Sequence, residues 1–163
     1  MNFDDDFRWS AELASGPFWP EIYRKIFPDL LRMVTYPYGS LEQRMGIDRE
    51  LVLKTGLRIT IEEKVRRKDY GDVLIEFVAN TRKNQPGWIE RDLACDYLAY
   101  AIASTGRCHM FPFQLLRRAW MMNRNAWLRK YGVLRAFNLE YDSLNTAVPL
   151  EVVLEAIELA RVH

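Results

Sequence analysis

Between Gly46 and Val65 the apolar and polar positions alternate in two successive runs. In the first, Leu51 and Leu53 fall on one side, and Asp48, Glu50, Val52 and Lys54 on the other. In the second, Leu57, Ile59, Ile61 and Val65 share one parity, and Arg58, Thr60, Glu62 and Lys64 share the other. A period of two sends successive side chains to opposite faces of a strand. Lys54-Thr55-Gly56 separates the runs with a short glycine turn, so the pattern predicts a β-hairpin. Asp48, Glu62 and Lys64 then meet on the polar face of two adjacent strands. Two carboxylates and a lysine gathered in this way are able to hold a divalent cation beside a nucleophilic water.

The rest of the chain supplies elements around this hairpin. Residues 1–17 read as an arm or short helix packed by Phe7 and Trp9. Pro20 suits a first helical position, with Glu21 in the first turn where the helix dipole favours an acid. Ile22, Ile26, Leu30 and Val34 recur at helical spacing, but Pro28 interrupts them. The expectation is one helix to Ile26 and a second, short one through Leu31. Tyr36 to Ser40 is a loop, and Leu41 to Met45 leads into the hairpin. Asp72 to Val78 predicts a third strand, apolar enough for the interior of a sheet. Asn80 to Gly87 is a polar loop with a Pro86-Gly87 turn. Trp88 to Cys95 reads as a short helix. Asp96 to Ala103 and Cys108 to Phe113 read as strands about a turn, with a helix over Leu93 to Ile102 as the alternative. Gln114 to Tyr131 predicts the clearest helix, closed by Gly132. Its apolar side is Leu115, Leu116, Ala119, Trp120, Met122, Ala126 and Trp127. Val133 to Tyr141 predicts a strand, and Pro149 to Val162 a last helix. The expected class is α/β (α+β), with a central mixed sheet flanked by helices. A length of 163 residues points to a single domain over 1–163.

Composition changes the picture in two places. A 49% hydrophobic share and a 13% aromatic share fit a globular protein and argue against disorder. The net charge of +1 hides a segregation. From Tyr97 to Leu139 there is no acid, while Arg107, Arg117, Arg118, Arg124, Arg129, Lys130 and Arg135 all fall there. Such a stretch predicts a positive face. Cys95 and Cys108 form no CxxC pair, and the only histidines are His109 and His163, which argues against a His/Cys zinc site. A reducing compartment is the simplest reading of these cysteines, with one disulfide left open. No signal-peptide pattern and no apolar run of about 20 residues is present. The expectation is a soluble, cytoplasmic protein with no membrane partner.

The hairpin residues resemble the core of the PD-(D/E)XK nuclease superfamily, which includes Holliday junction resolvase-like and restriction endonuclease-like enzymes. In that pattern an Asp precedes an acid-x-Lys triplet on the next strand. Asp48 matches the Asp, Glu62 the acid and Lys64 the lysine. Gln43-x-x-Gly46-Ile47-Asp48 with Glu63-Lys64-x-Arg66 is similar to phage-type members. Ile47 stands where the family's proline is usually written. An acid-x-Lys triplet alone arises by chance about once in a chain with a quarter of its residues charged. The upstream Asp, the shared parity and the third strand carry the resemblance, which spans residues 18 to 115.

The resemblance implies a restriction endonuclease-like fold and a Mg²⁺- or Mn²⁺-dependent endonuclease acting on DNA, including branched DNA, in a bacterial or phage-infected cell. It also implies the ligands: the Asp48 and Glu62 carboxylates and the main-chain carbonyl of Glu63. Lys64 orients the water and stabilises negative charge. Family members often add an acid from the first helix, for which Glu21 is the candidate, with Glu12 and Glu42 behind it. Gln43 either orients the water or braces the hairpin. Arg66, Arg67 and Lys68 either grip flanking phosphates or form a solvated strand end. Arg117, Arg118 and Arg124 either track a nucleic-acid backbone or face water. Trp88, Trp120 and Trp127 either stack on bases or pack a core. Asp72 and Glu76 either add a ligand or pair with the basic run. Small resolvase-like members often pair, so a homodimer is among the implied partners. The other reading is a catalytically silent nuclease-fold module that binds nucleic acid or a protein, for instance a phage-encoded inhibitor.

Overall fold

The computed structural model describes residues 3–137 and 140–162, and the side chains of all of these but Phe3 and Asp4. It is an α+β protein containing a mixed sheet, with helices packed on its sheets. The chain divides into two compact units that interleave in sequence.

The first unit comprises residues 5–69 and 93–113. Its sheet has five strands: β1 (Leu30–Thr35), β2 (Arg49–Leu53), β3 (Arg58–Arg66), β6 (Tyr97–Ile102) and β7 (Arg107–Pro112), in the order β1-β2-β3-β6-β7. The expected hairpin is β2–β3, antiparallel, with Arg49 opposite Ile61 and Leu51 opposite Ile59. Gly56 closes its turn at φ +87°, a conformation that suits a residue without Cβ. β3 then runs parallel to β6, with Glu62 opposite Leu98 and Lys64 opposite Tyr100. β6 and β7 form the strand pair expected over 96–113, which excludes the helical alternative.

Alternation sorts the faces of this sheet. Leu51, Leu53, Ile59, Ile61, Ala99 and Ala101 all point to one side. Helix α2 (Phe18–Ile26) covers that side with Trp19, Ile22 and Tyr23, all buried. Pro20 stands at the third helical position rather than the first. Helix α1 (Phe3–Ser15) precedes α2 and realises the N-terminal helix expected with Phe7 and Trp9. Its Phe7 meets the Tyr38 ring edge-on, 5.6 Å between centroids. The short helix expected through Leu31 is instead β1. Pro28 stops helical propagation, and Leu30 to Thr35 gain ladder bonds along β2. Helix α3 (Leu41–Arg44) is a single turn in which the Ser40 hydroxyl accepts from the Gln43 amide. Residues 88 to 95 form turns and irregular chain, not a helix.

The second unit comprises, among the described residues, 3–4, 70–92, 114–137 and 140–162. Its four-stranded antiparallel sheet runs β5 (Gln85–Pro86), β4 (Asp72–Asn80), β9 (Asp142–Pro149), β8 (Leu134–Phe137). The third strand of the sequence reading is β4. It is an interior strand as expected, but of this sheet; the strand that continues the hairpin's sheet beyond β3 is β6. β8 realises part of the strand expected over 133–141, of which Asn138 and Leu139 lie outside the described residues. β9 was not anticipated, because Asp142 to Thr146 is polar in composition. Helices α4 (Phe113–Tyr131) and α5 (Leu150–Val162) match expectation. Trp120 of α4 stacks on Phe77 of β4, and Trp127 lies beside Trp120, which makes these two tryptophans core residues. Trp88 is buried as well.

A candidate metal-binding carboxylate site

Asp48 stands immediately before β2, one residue beyond the Arg49–Ile61 rung, close enough to Glu62 for the two charges to act on each other. The Asp48 amide donates to the Ile61 carbonyl at 2.8 Å. Its carboxylate then accepts from the Glu63 amide, N to Oδ2 2.7 Å. A side chain therefore stands in for a backbone acceptor at the Glu63 amide. Along β3 the even-numbered backbone groups turn to β6, as shown by the Asp96 amide donating to the Thr60 carbonyl. The odd-numbered ones turn to β2 and Asp48, and this includes the Glu63 carbonyl, which shares the direction of the Glu63 amide.

The Glu62 side chain is 8% exposed. Its Oε1 lies 2.6 Å from the Lys64 ammonium, two residues along the same face. Its Oε2 is buried and has no hydrogen-bond partner. Burial, and then the negative charge of Glu62, raise the Asp48 carboxyl to about 7; Lys64 and the Glu63 amide act against this. Cys95 lies behind the pair. Burial and the Glu62 charge push its thiol up to about 12, so it is an inert neighbour and not a nucleophile. Gly46 closes the approach from α3. It holds φ +86°, and a Cβ there would come within 2.7 Å of the Leu93 side chain.

A divalent oxygen-seeking ion fits this donor set. Two neighbouring carboxylates repel until one keeps a proton, and an orphaned buried oxygen wants a cation. Among the described residues there is no group of three or more His, Cys, Asp or Glu side chains suited to a metal. The side chains at this place are two carboxylates and one ammonium, those of Asp48, Glu62 and Lys64.

The structure brings Asp48, Glu62 and Lys64 together and separates several other candidates from them. The Glu63 side chain points to the opposite face, so only its backbone belongs to the site. Glu21 is solvent-exposed on α2, and α2 covers the face opposite Glu62; the structure does not bring Glu21 to the carboxylate pair. Gln43 Oε1 accepts from the Gly39 amide at 3.2 Å, which braces the loop before α3. Arg67 is held by Asp6 at 2.9 Å and lies 4.1 Å from the Trp9 ring centroid. Arg66 is half-buried and Lys68 exposed beyond the strand. In the second unit, Arg124 binds the Glu90 carboxylate at 2.8 Å, Arg117 reaches the Glu90 carbonyl, and Arg118 is exposed. Asp72 and Glu76 lie on β4. Both cysteines are free thiols. No helix among the described residues is long and apolar enough to cross a membrane.

Sequence reasoning missed Arg49, Tyr23 and the role of the Glu63 side chain. Arg49 Nε lies 2.6 Å from Glu63 Oε1, and the Tyr23 hydroxyl donates to the same oxygen at 2.9 Å. The signal was available. Arg49 occupies the apolar parity of Leu51 and Leu53, and Glu63 that of Ile59, Ile61 and Val65. Opposite charges on the apolar parity of two paired strands mark a buried ion pair. Comparison with protein families, curated proteins and solved structures found no match to this chain.

Proposed function

We propose that the protein is a Mg²⁺- or Mn²⁺-dependent phosphodiesterase of the PD-(D/E)XK type that cleaves DNA. The observation that carries this reading is the Glu62 carboxylate: one oxygen is taken by Lys64, the other is buried without a partner, and the Asp48 carboxyl lies near enough to feel its charge. A structural ion pair has no need of a second carboxylate beside it, one whose own proton affinity is raised by burial and by the Glu62 charge.

Asp48 and Glu62 hold the cation with the Glu63 carbonyl. When bound, the cation lends Lewis acidity to water and offsets charge on the phosphate. Lys64 keeps a positive charge at the mouth of the pair, where it orients the attacking water and stabilises charge that develops on phosphate oxygen. Asp48 must give up its proton before it can serve as a ligand, so cation affinity rises with pH across neutrality. Arg66 and Lys68 continue from the active strand and supply phosphate contacts.

The test is calorimetry with Mn²⁺ on wild type and on Asp48→Ala and Glu62→Ala, alongside cleavage of plasmid and branched DNA. Binding that both substitutions abolish, with folding retained, supports the site. Unchanged binding in both variants sinks it. Mn²⁺ binding without cleavage of either substrate turns the reading to a silent nuclease-fold module.

A further inference from the structure

We infer that Arg49 and Glu63 are positioning residues, whose ion pair on one face of the β2–β3 hairpin sets the register that joins Asp48, Glu62 and Lys64 on the other. The inference rests on the proposed site and names what holds it in place. Arg49 follows Asp48 directly, and Glu63 separates Glu62 from Lys64. Strand alternation therefore couples the two faces residue by residue.

Arg49 and Glu63 are 3% and 6% exposed at their side chains. Arg49 spends its guanidinium on three elements: Nε on Glu63 at 2.6 Å, Nη1 on the Thr35 hydroxyl at 3.0 Å, and Nη2 on the Ala14 carbonyl at 3.1 Å. Its carbon end lies 5.8 Å from the Tyr23 ring centroid, and Tyr23 in turn donates to Glu63. α1, α2, β1, β2 and β3 thus converge on one buried pair. Such a pair adds little net stability over an apolar pair of the same volume, but its directional contacts select one geometry. Arg49 and Ile61 form the last rung of the β2–β3 ladder, and Glu63 is the diagonal neighbour of Arg49. Past that rung the Asp48 carboxylate takes the Glu63 amide in place of a backbone carbonyl. The ion pair holds the Cα of Glu63 where that amide meets Asp48.

The experiment compares wild type with Arg49→Met/Glu63→Met, by hydrogen exchange in the metal-free protein and by Mn²⁺ calorimetry. Positioning predicts a selective loss, about tenfold or more, in protection of the residue 63 amide, while Leu51 and Ile59 keep theirs. It also predicts a fall in Mn²⁺ affinity of about tenfold to a hundredfold. An amide at 63 as protected as in wild type, a uniform loss across the ladder, or an unchanged Mn²⁺ affinity overturns the inference. Glu63→Gln keeps the volume and removes the charge of the pair; it is read by the same criteria if the double variant does not fold. Wild-type protein that binds no Mn²⁺ would overturn the nuclease reading, and the residue 63 amide would then decide positioning alone.

Discussion

The two faces of β3 carry adjacent glutamates in opposite circumstances. Glu63 faces the core and is answered there: Arg49 and Tyr23 both donate to Oε1. Burial still raises its proton affinity, while the Arg49 hydrogen bond and charge act against that. Glu62 faces the other way with one oxygen on Lys64, one oxygen on nothing, and the Asp48 carboxyl near enough to feel its charge. The backbone and burial are alike, so the difference lies in compensation. A buried carboxylate with its donors in place is architecture. A buried carboxylate short of donors costs stability, and it persists where a ligand completes it.

The strongest way to break this comparison is to remove the lysine. Lys64→Ala should lower the cleavage rate by about a hundredfold to ten-thousandfold, within the range for a positioned charge or proton-transfer group. Mn²⁺ and DNA affinity should remain. Cleavage at the wild-type rate would mean that Lys64 serves only Glu62.

On the core face the loss should appear as stability instead. Glu63→Ala leaves Arg49 buried without its acid, and should cost about 3–5 kcal/mol in urea unfolding. A cost below about 1 kcal/mol would show that solvent reaches Arg49 and that the two faces are not so different.

Asp48 yields a prediction of opposite sign. Its folded carboxyl titrates near 7, whereas an unfolded one titrates near 4. Between those values the folded state binds more protons than the unfolded state, so stability falls as pH rises through that window. The metal-free protein should therefore melt lower at pH 8 than at pH 5. Asp48→Asn should flatten this dependence and stabilise the metal-free protein at pH 8 by on the order of 1–3 kcal/mol. Saturating Mn²⁺ should reverse the ranking. A wild-type melting temperature independent of pH would remove the repulsion from the account.

The smallest effects are expected on α4, between a half-buried and an exposed arginine. Arg124 is committed to Glu90 and packs over the Phe77 ring, 5.5 Å to the centroid. Arg124→Ala should cost about 0.5–1 kcal/mol of stability and leave the salt dependence of DNA binding unchanged. Arg118→Ala, at an exposed position, should reduce the slope of log affinity against log salt by about 0.9. Equal slopes in both variants would remove this helix from the DNA interface.

Local pattern was enough for the hairpin, its turn and helices α4 and α5, whereas the 97–112 strands were chosen over a helix only by their pairing. In the hairpin and the two helices, the period of apolar positions agrees with the end signals, and no distant partner is needed to choose between helix and strand. The parity that joins Asp48, Glu62 and Lys64 was legible for the same reason, since alternation is a property of the backbone. Three further matters were settled only by tertiary structure. Leu30 to Thr35 has a helical spacing of apolar residues, yet β2 offers its ladder and Pro28 has already stopped the helix. Asp72 to Asn80 reads as a strand in any context, but a strand does not state its sheet; the pairing with β9 depends on residues some seventy positions later. The acid-free run from Tyr97 promised a positive face, and Arg124 and Arg117 found Glu90, outside the run. Charges are neutralised across space, and a linear count of acids cannot see the partner. The same holds at the site. The chain dictated that Asp48, Glu62 and Lys64 share a face, whereas the missing donor at Glu62 Oε2 exists only once every neighbour is in place.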